Sequence, residues 1–253
     1  MIRLVYPTDE HYPFQDEKAR QVALKITREF NPTLRVAGSD GLDFYRLSRF
    51  SKDPVRAKSV TLQNEIDMWQ AGQQEWKDAS PEATIFYLIG NHEDRLRRWI
   101  WDHDEFAELE ALELYNLLGF PKLGIPWNKE KGYDGHRELD LGTVLIEHGR
   151  YIRKYSAYTA KAHMEEERHA RNIFHGHTHR GGTYLTSTRD RVIQAQECFC
   201  LCRLDPEYIR NPNWQQGLVM AEIEDDIVSI EAIPFHKQDG KTIARWRGKE
   251  YTE

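Results

Sequence analysis

A chain of 253 residues with 40% hydrophobic and 11% aromatic side chains is long enough to bury a substantial core and too apolar for disorder. Its formal net charge of −6 offers no global field for nucleic acid, so any such contact must come from local basic patches. No run reaches the length of a membrane span, Pro7 and acidic residues follow the start too closely for a secretory signal, and three neighbouring cysteines do not make a secreted disulfide framework. The expectation is a cytoplasmic protein.

In chain order, residues 3–6 read as a short strand ending in Asp9-Glu10-His11. On an extended backbone alternate side chains share a face, so this end offers one carboxylate and one imidazole. Taken alone, an acidic surface loop explains the tripeptide better. A helix is predicted over 15–30, where Val22, Ala23, Ile26 and Phe30 recur at helical spacing before Asn31-Pro32. Residues 33–37 form the next strand, and Gly38-Ser39-Asp40-Gly41-Leu42-Asp43 is its end, an acidic turn that an Asx-type turn also explains. A helix follows over 55–77, with Val60, Ile66, Met68, Trp69 and Trp76 inward.

Residues 83–89 are a continuous apolar run, the pattern of a strand buried on both faces, and they end in Gly90-Asn91-His92-Glu93. Asn and His are poor packing choices there, which favours chemistry. Helices are predicted over 94–101 and 105–118, and a loop over 121–135. A strand over 139–147, with a turn near Gly142, delivers His148-Gly149, and a helix covers 154–169. Ile173-Phe174 then leads into His175-Gly176-His177-Thr178-His179-Arg180. Alternation points His177 and His179 the same way, and paired neutral imidazoles suit a borderline transition metal. Gly176 lets the backbone approach closely. Alone, the His-x-His pattern fits a polar turn equally well.

Strands are predicted over 183–186, 192–202, 217–223 and 227–233. Cys198, Cys200 and Cys202 then share one strand face, where buried structural thiols are favoured over a three-thiolate metal site. With no repeat or flexible linker, residues 1–253 read as one domain, strand and helix alternating first and antiparallel strands added after.

Successive strand ends thus carry D-x-H, G-S-D-x-x-D, G-N-H-E, H-G and G-H-T-H. Ligands gather at the carboxyl ends of strands in α/β architectures, and these oxygen and nitrogen donors suit two divalent ions, spaced ~3.5–4 Å apart in two-metal phosphate chemistry. In order and spacing the motifs resemble the calcineurin-like metallophosphoesterase superfamily across residues 1–180, and Asn-Pro-Asn-Trp-Gln-Gln-Gly at 211–217 resembles its phage-associated members. The resemblance implies an α/β (α+β) fold, a two-sheet β-sandwich flanked by helices. It also implies two divalent metal ions, with Mn preferred and Fe or Zn compatible. Asp9, His11, Asp40 and His179 would hold one ion. Asp40, as the bridge, would hold the other with Asn91, His148 and His177. His92 would be the catalytic imidazole, oriented by Asp43, and His175 a candidate support behind the ligands.

The implied reaction is hydrolysis of a phosphate ester by in-line attack of a hydroxide bridging the ions, with His92 protonating the leaving oxygen. Two departures stand out. Ser39 occupies the place of the glycine usual before the bridging aspartate, and Phe44 that of an arginine common in phosphoprotein phosphatases, which weakens a phosphoprotein substrate. Arg95, Arg97 and Arg98, then Arg150, Arg153 and Lys154, then Arg180 follow three of the motifs and would rim one face; solvated surface charge explains each cluster as well. Arg95, Arg98, Arg150 and Arg180 are the candidates for substrate contact. With Trp99, Trp101 and Tyr151 they could bind phosphates and stack bases, so the preferred partner is nucleic acid or a nucleotide. A phosphomonoesterase and a catalytically silent, metal-stabilised binding protein are the alternatives.

Overall fold

Both faces of the first strand, β1 (Ile2–Tyr6), are buried: Leu4 and Tyr6 enter one apolar cluster and Val5 another. That is the pattern of a strand inside a layered fold. In the computed structural model, which describes residues 1–168 and 171–253, β1 lies at the centre of a sheet. α1 (Glu17–Phe30) follows, begun by the Asp16 carboxylate, which accepts from the Ala19 N–H. Next come β2 (Leu34–Gly38), α2 (Pro54–Ser59), α3 (Leu62–Ala79), β3 (Thr84–Leu88) and α4 (Glu93–Trp101). Short α5 (Leu114–Leu117) and α6 (Phe120–Leu123) precede β4 (Glu138–Asp140), β5 (Val144–Glu147), α7 (Tyr158–Glu166) and β6 (Asn172–His175). The remainder is strand: β7 (Gly181–Ser187), β8 (Val192–Cys198), β9 (Gly217–Glu224), β10 (Ile227–Pro234), β11 (His236–Gln238), β12 (Lys241–Trp246) and β13 (Lys249–Thr252).

One sheet runs β10-β9-β1-β2-β3 and the other β4-β5-β6-β8-β7. Leu4, Val36, Leu88 and Val219 of the first share a cluster with Val144, Ile146 and Phe174 of the second, so the sheets pack face to face. α1 covers the outer face of the first sheet, and Ala160 and Met164 of α7 cover that of the second. This is the expected α/β sandwich of two sheets flanked by helices. β1, β2 and β3 run parallel, as do β5, β6 and β8, which sends the carboxyl ends within each group the same way. Among the described residues no helix is long and apolar enough to cross a membrane.

Several elements differ from expectation. The helix over 55–77 is two, because Val60 and Thr61 are extended and the Thr61 hydroxyl accepts from Asn64 N–H to start α3. Residues 105–118 form two 3₁₀ turns and α5: Phe106 and Leu109 are exposed, while Leu114 and Leu118 are buried in the core with Tyr115 and Leu117 packed against it. α7 begins at Tyr158, after left-handed Ala157, whose N–H donates to Glu197; the expected helix end at His169 lies outside the described residues. β3 is an edge strand rather than a strand buried throughout, with Thr84 exposed and the turn at 132–136 covering its far end through Ile89 N–H to His136 O. β8 stops at Cys198 because Phe199 turns left-handed and packs its ring where a Cβ at Gly181 or Gly217 would stand. The three-stranded sheet β11-β12-β13 was not foreseen; its Ala244 and Trp246 pack with Phe30 of α1.

Behind the first loop sits a buried ion pair. Glu10 accepts from Trp76 Nε1 at 2.9 Å and faces Arg20 Nε at 3.3 Å, and all three side chains are buried. Burial pushes the Glu10 carboxyl up while Arg20 opposes it. Arg20→Met should leave that charge unpaired and cost about 3–5 kcal/mol in denaturant unfolding. Arg20→Met with Glu10→Gln should recover part of the loss; an unchanged midpoint in the single variant would show the pair to be dispensable.

Candidate metal centre

The loops after β1 and β2 run side by side, Asp9 N–H donating to Ser39 O and His11 N–H to Asp40 O, each at 3.0 Å. The loop after β6 joins them from the other sheet: His177 N–H reaches the Asp9 carboxylate at 3.1 Å. Gly176 permits this approach, since a Cβ there would overlap Asp9 Oδ2 and Thr8 Oγ1. Strand alternation is not what aligns the donors. Asp9, His11, Ser39, Asp40, His177 and His179 all have φ between 52° and 68°, so the chain turns left-handed at each. Non-glycine residues held there carry strain that surrounding contacts must offset, a recurring feature of ligand sites.

The expected donors meet. His179 Nε2 lies 3.1 Å from Asp9 Oδ1 and 3.0 Å from His11 Nε2, while His11 Nε2 lies 3.9 Å from Asp40 Oδ2. On the other side of Asp40, His148 Nε2 lies 3.2 Å from Asp40 Oδ2, 2.9 Å from Asn91 Oδ1 and 3.2 Å from His177 Nδ1. Asp9, His11 and Asp40 form one group whose ligating atoms lie within 4.8 Å of one another, and Asp40, His148 and His177 form a second. Asp40 belongs to both. Imidazole nitrogens that face each other and a carboxylate at such distances are arranged around a cation rather than bonded to one another. These clusters are candidate divalent-metal sites.

Electrostatics point the same way. Burial alone would raise Asp40, yet the imidazoles of His148 and His92 hold it well below the usual carboxylate range. Asp9 is likewise held low, against its burial, by His179 and His11. Burial, with His148 beside it, lowers His177 to about 4, so that ring is neutral and its lone pair free. Against its burial, Asp40 raises His148 to about 9, so the buried carboxylates draw positive charge into the cluster.

Residues behind the donors complete the arrangement. The buried Ser39 hydroxyl lies 2.9 Å from His148 Nδ1 and 2.7 Å from Tyr6 OH, which gives its departure from glycine a purpose: it fixes the ring whose Nε2 faces the centre. Glu93 accepts from the N–H groups of Gly90, Asp40 and Gly41 and so pins two loops together. Burial and Asp40 raise its carboxyl to about 7. Nothing in G-N-H-E tells which way its last residue turns, so this role of Glu93 is visible only in the fold.

The cysteines do not share one face. Cys198 lies between the sheets, and Cys202 lies behind His179, with Sγ 3.7 Å from Nδ1. Burial pushes the Cys202 thiol well up, which keeps it protonated. Among the described residues the three thiols form no joint donor group. His175 packs on His163, ring centroids 4.7 Å apart, beside Gly149 and outside the donor set.

His92 and Asp43 are adjacent, with a different division of labour from that expected. His92 Nδ1 is nearer the Asp43 carbonyl, at 3.0 Å, than its carboxylate, at 3.5 Å. The carboxylate instead faces His11 Nδ1 at 3.2 Å and Arg95 Nη1 at 3.0 Å. A carbonyl can only accept, so Nδ1 carries the hydrogen and Nε2 is left toward Arg95, 2.9 Å away, and Asp40.

The centre forms one end of a cavity of about 820 Å³. Arg95 and Arg180 line it, although Arg180 spends its donors on the carbonyls of Arg153 and Lys154. Arg98 and Arg150 are not in the lining. Arg98 lies within 4.0 Å of Asp94 on the exposed side of α4, and Arg150 pairs with Glu166 at 2.6 Å. Trp99 stacks on His103. The sequence order of these arginines says which motif they follow but not where a long side chain finds its acid. Phe14, Tyr45, Arg56, Arg203, Tyr208 and Trp214 also line the cavity, a contribution that no sequence motif announces.

No protein-family model matches the sequence, and no curated protein matches it. Among solved structures it is similar to Vps29 from Chaetomium thermophilum, with TM-score 0.48, 8% identity, and coverage of 100% of this chain and 92% of that one. Vacuolar Protein Sorting 29 from Cryptosporidium parvum gives TM-score 0.48, 8% identity, and coverage of 100% and 98%. Wild-type Vps29 from Entamoeba histolytica, complexed with Zn²⁺, gives 0.44, 11%, and coverage of 100% and 97%. Likeness at this level decides nothing about function, which rests on the chain's own geometry.

Because Asp40 belongs to both groups, Asp40→Asn should weaken all divalent-metal binding, whereas His11→Ala should remove mainly one site. Metal analysis of the purified variants checks this, and undiminished metal content in Asp40→Asn would refute the shared role. Gly176→Ala should displace Asp9 and lower metal content although no donor is changed.

Proposed function

We propose that the chain is a metal-dependent phosphoric ester hydrolase acting on phosphodiesters. The observation that carries this reading is Asp40, a single buried carboxylate shared by two donor groups, with His92 beside it and an open cavity in front. Asp9, His11, Asp40 and His179 would hold one divalent ion, and Asp40, Asn91, His148 and His177 a second; Mn, Fe and Zn all suit these donors. Bound there, such ions supply Lewis acidity, lowering the pKa of water and offsetting charge on phosphoryl oxygens.

The chain's own residues supply positioning and proton transfer. The Asp43 carbonyl fixes the His92 tautomer, and the main-chain N–H of His92 donates to Asp40 Oδ1 at 2.8 Å, which holds the His92 backbone against the shared carboxylate. Burial lowers the His92 pKa, against the pull of Asp40 and Asp43. Nε2, bare in this tautomer and facing Arg95, would have to take up a proton before passing it to a leaving oxygen. Arg95 adds a fixed cation at the same wall.

Hydrolysis of bis(p-nitrophenyl) phosphate should require added Mn²⁺ and stop on chelation. His92→Ala should retain metal and lose about 10²–10⁴-fold in kcat on esters with poor leaving groups, with a visibly smaller loss on nitrophenyl esters, whose leaving oxygen needs no proton. Loss of metal, or equal slowing of both ester types, would sink the acid role. Metal-loaded protein that hydrolyses no ester would favour a metal-stabilised binding protein instead.

A further inference from the structure

We infer that the substrate is a small phosphodiester with a single phosphoryl group and a flat, uncharged substituent of nucleobase size, seated between aromatic walls that begin beside the metal donors. The inference rests on the hydrolase reading for the place of the phosphoryl group. Three observations carry it: the aromatic walls, the neutralised cations and the volume.

The walls come from two distant loops. On one side Phe14 meets Tyr45 edge to face, with centroids 5.3 Å apart. On the other, Trp214 stands against the His179 ring at 4.2 Å and Tyr208 lies 6.2 Å beyond it, a path of aromatic surface leading from the donors toward the mouth. Tyr45 OH donates to the Glu207 carboxylate at 3.0 Å, so the two walls are tied together next to Tyr208. Tyr208 nonetheless keeps 70% of its surface exposed. An aromatic face left open at the mouth of a polar, metal-binding cavity is a stacking platform without its partner.

The cations that would track a polyanion are already engaged. Arg56 lies 3.7 Å from Glu207, Arg203 donates to Asp205 at 2.9 Å, and Arg95 to Asp43 at 3.0 Å. Arg180 and Lys52 are bonded to backbone carbonyls. A polynucleotide site needs a row of uncommitted positive charge along the backbone path, and this cavity offers none. Its volume of about 820 Å³ suits one nucleotide-sized molecule. The expected partner therefore narrows from nucleic acid to a single aromatic-bearing ester.

The test compares thymidine 5′-(p-nitrophenyl) phosphate with methyl p-nitrophenyl phosphate on Mn²⁺-loaded protein, since the two share a leaving group and differ only in the retained substituent. The thymidine ester should show the higher kcat/KM, and Tyr208→Ala should reduce that ratio about five- to hundred-fold, the range of one stacked base, while Tyr208→Phe keeps it. Equal kcat/KM for the two esters, or a ratio unmoved by Tyr208→Ala, would overturn the inference. Calorimetric binding of thymidine 5′-monophosphate reads the same pocket without turnover. Binding weakened in Tyr208→Ala, with neither ester hydrolysed, would sustain the pocket and defeat the hydrolase reading. A single-stranded oligonucleotide that binds more tightly than the mononucleotide, with steep salt dependence, would defeat the pocket assignment.

Discussion

A carboxylate that retains only 2% of its surface cannot stand alone, and the arrangement of the chain around Asp40 follows from that constraint. Its Oδ1 accepts from the His92 N–H, and its Oδ2 faces imidazoles that arrive from both sheets. The two sheets are thus joined at their rim by electrostatics as well as by the apolar layer between them. Loops that would otherwise repel, since Asp9, Asp40 and Asp43 are all acidic, are held together by backbone bonds, by Glu93, and by histidines whose rings are fixed from behind.

The fixing groups are chemically varied, which matters for how the centre holds its shape. His148 is backed by a serine hydroxyl, His92 by a main-chain carbonyl, His179 by a thiol and His11 by the Asp43 carboxylate. Each selects one nitrogen of its ring to face inward. The left-handed turns at six site positions in three loops cost of order 1–3 kcal/mol apiece when nothing offsets them. Buried contacts such as Trp76–Glu10–Arg20 hold the first of these loops in place.

The strand ends and the donor residues they carry were legible in the sequence, because an apolar run followed by Asn-His or His-x-His is a local pattern. The mechanism of alignment was not. Extended alternation suggested that Asp9 and His11, and His177 and His179, share faces; left-handed turns bring them together instead. An expected helix gives way where its apolar positions find no core, as with exposed Phe106 and Leu109 in 105–118, or where a β-branched pair interrupts it, as at Val60-Thr61. The arginines were a poor guide: Arg98 answers to Asp94 one turn away on α4, and Arg150 to Glu166, an acid that only the folded chain brings within reach. The aromatic half of the cavity was hidden for the same reason: Phe14 and Tyr208 lie 194 positions apart in the chain.

The pairing of β1 has a consequence for biosynthesis. β1 is made first, yet one of its two neighbours is β9, which the ribosome supplies only at Gly217–Glu224. Until then the nascent chain carries a hydrophobic strand with one open edge, and β2 and β3 can extend the sheet on one side only. Such non-local pairing folds slowly and exposes edges to aggregation. The last donor, His179, precedes β9 in the chain, so the centre is fully supplied before the sheet that frames it can close. A ribosome stalled before residue 217 would therefore present an acidic, histidine-rich loop cluster beside an unsealed sheet, a species in need of a chaperone.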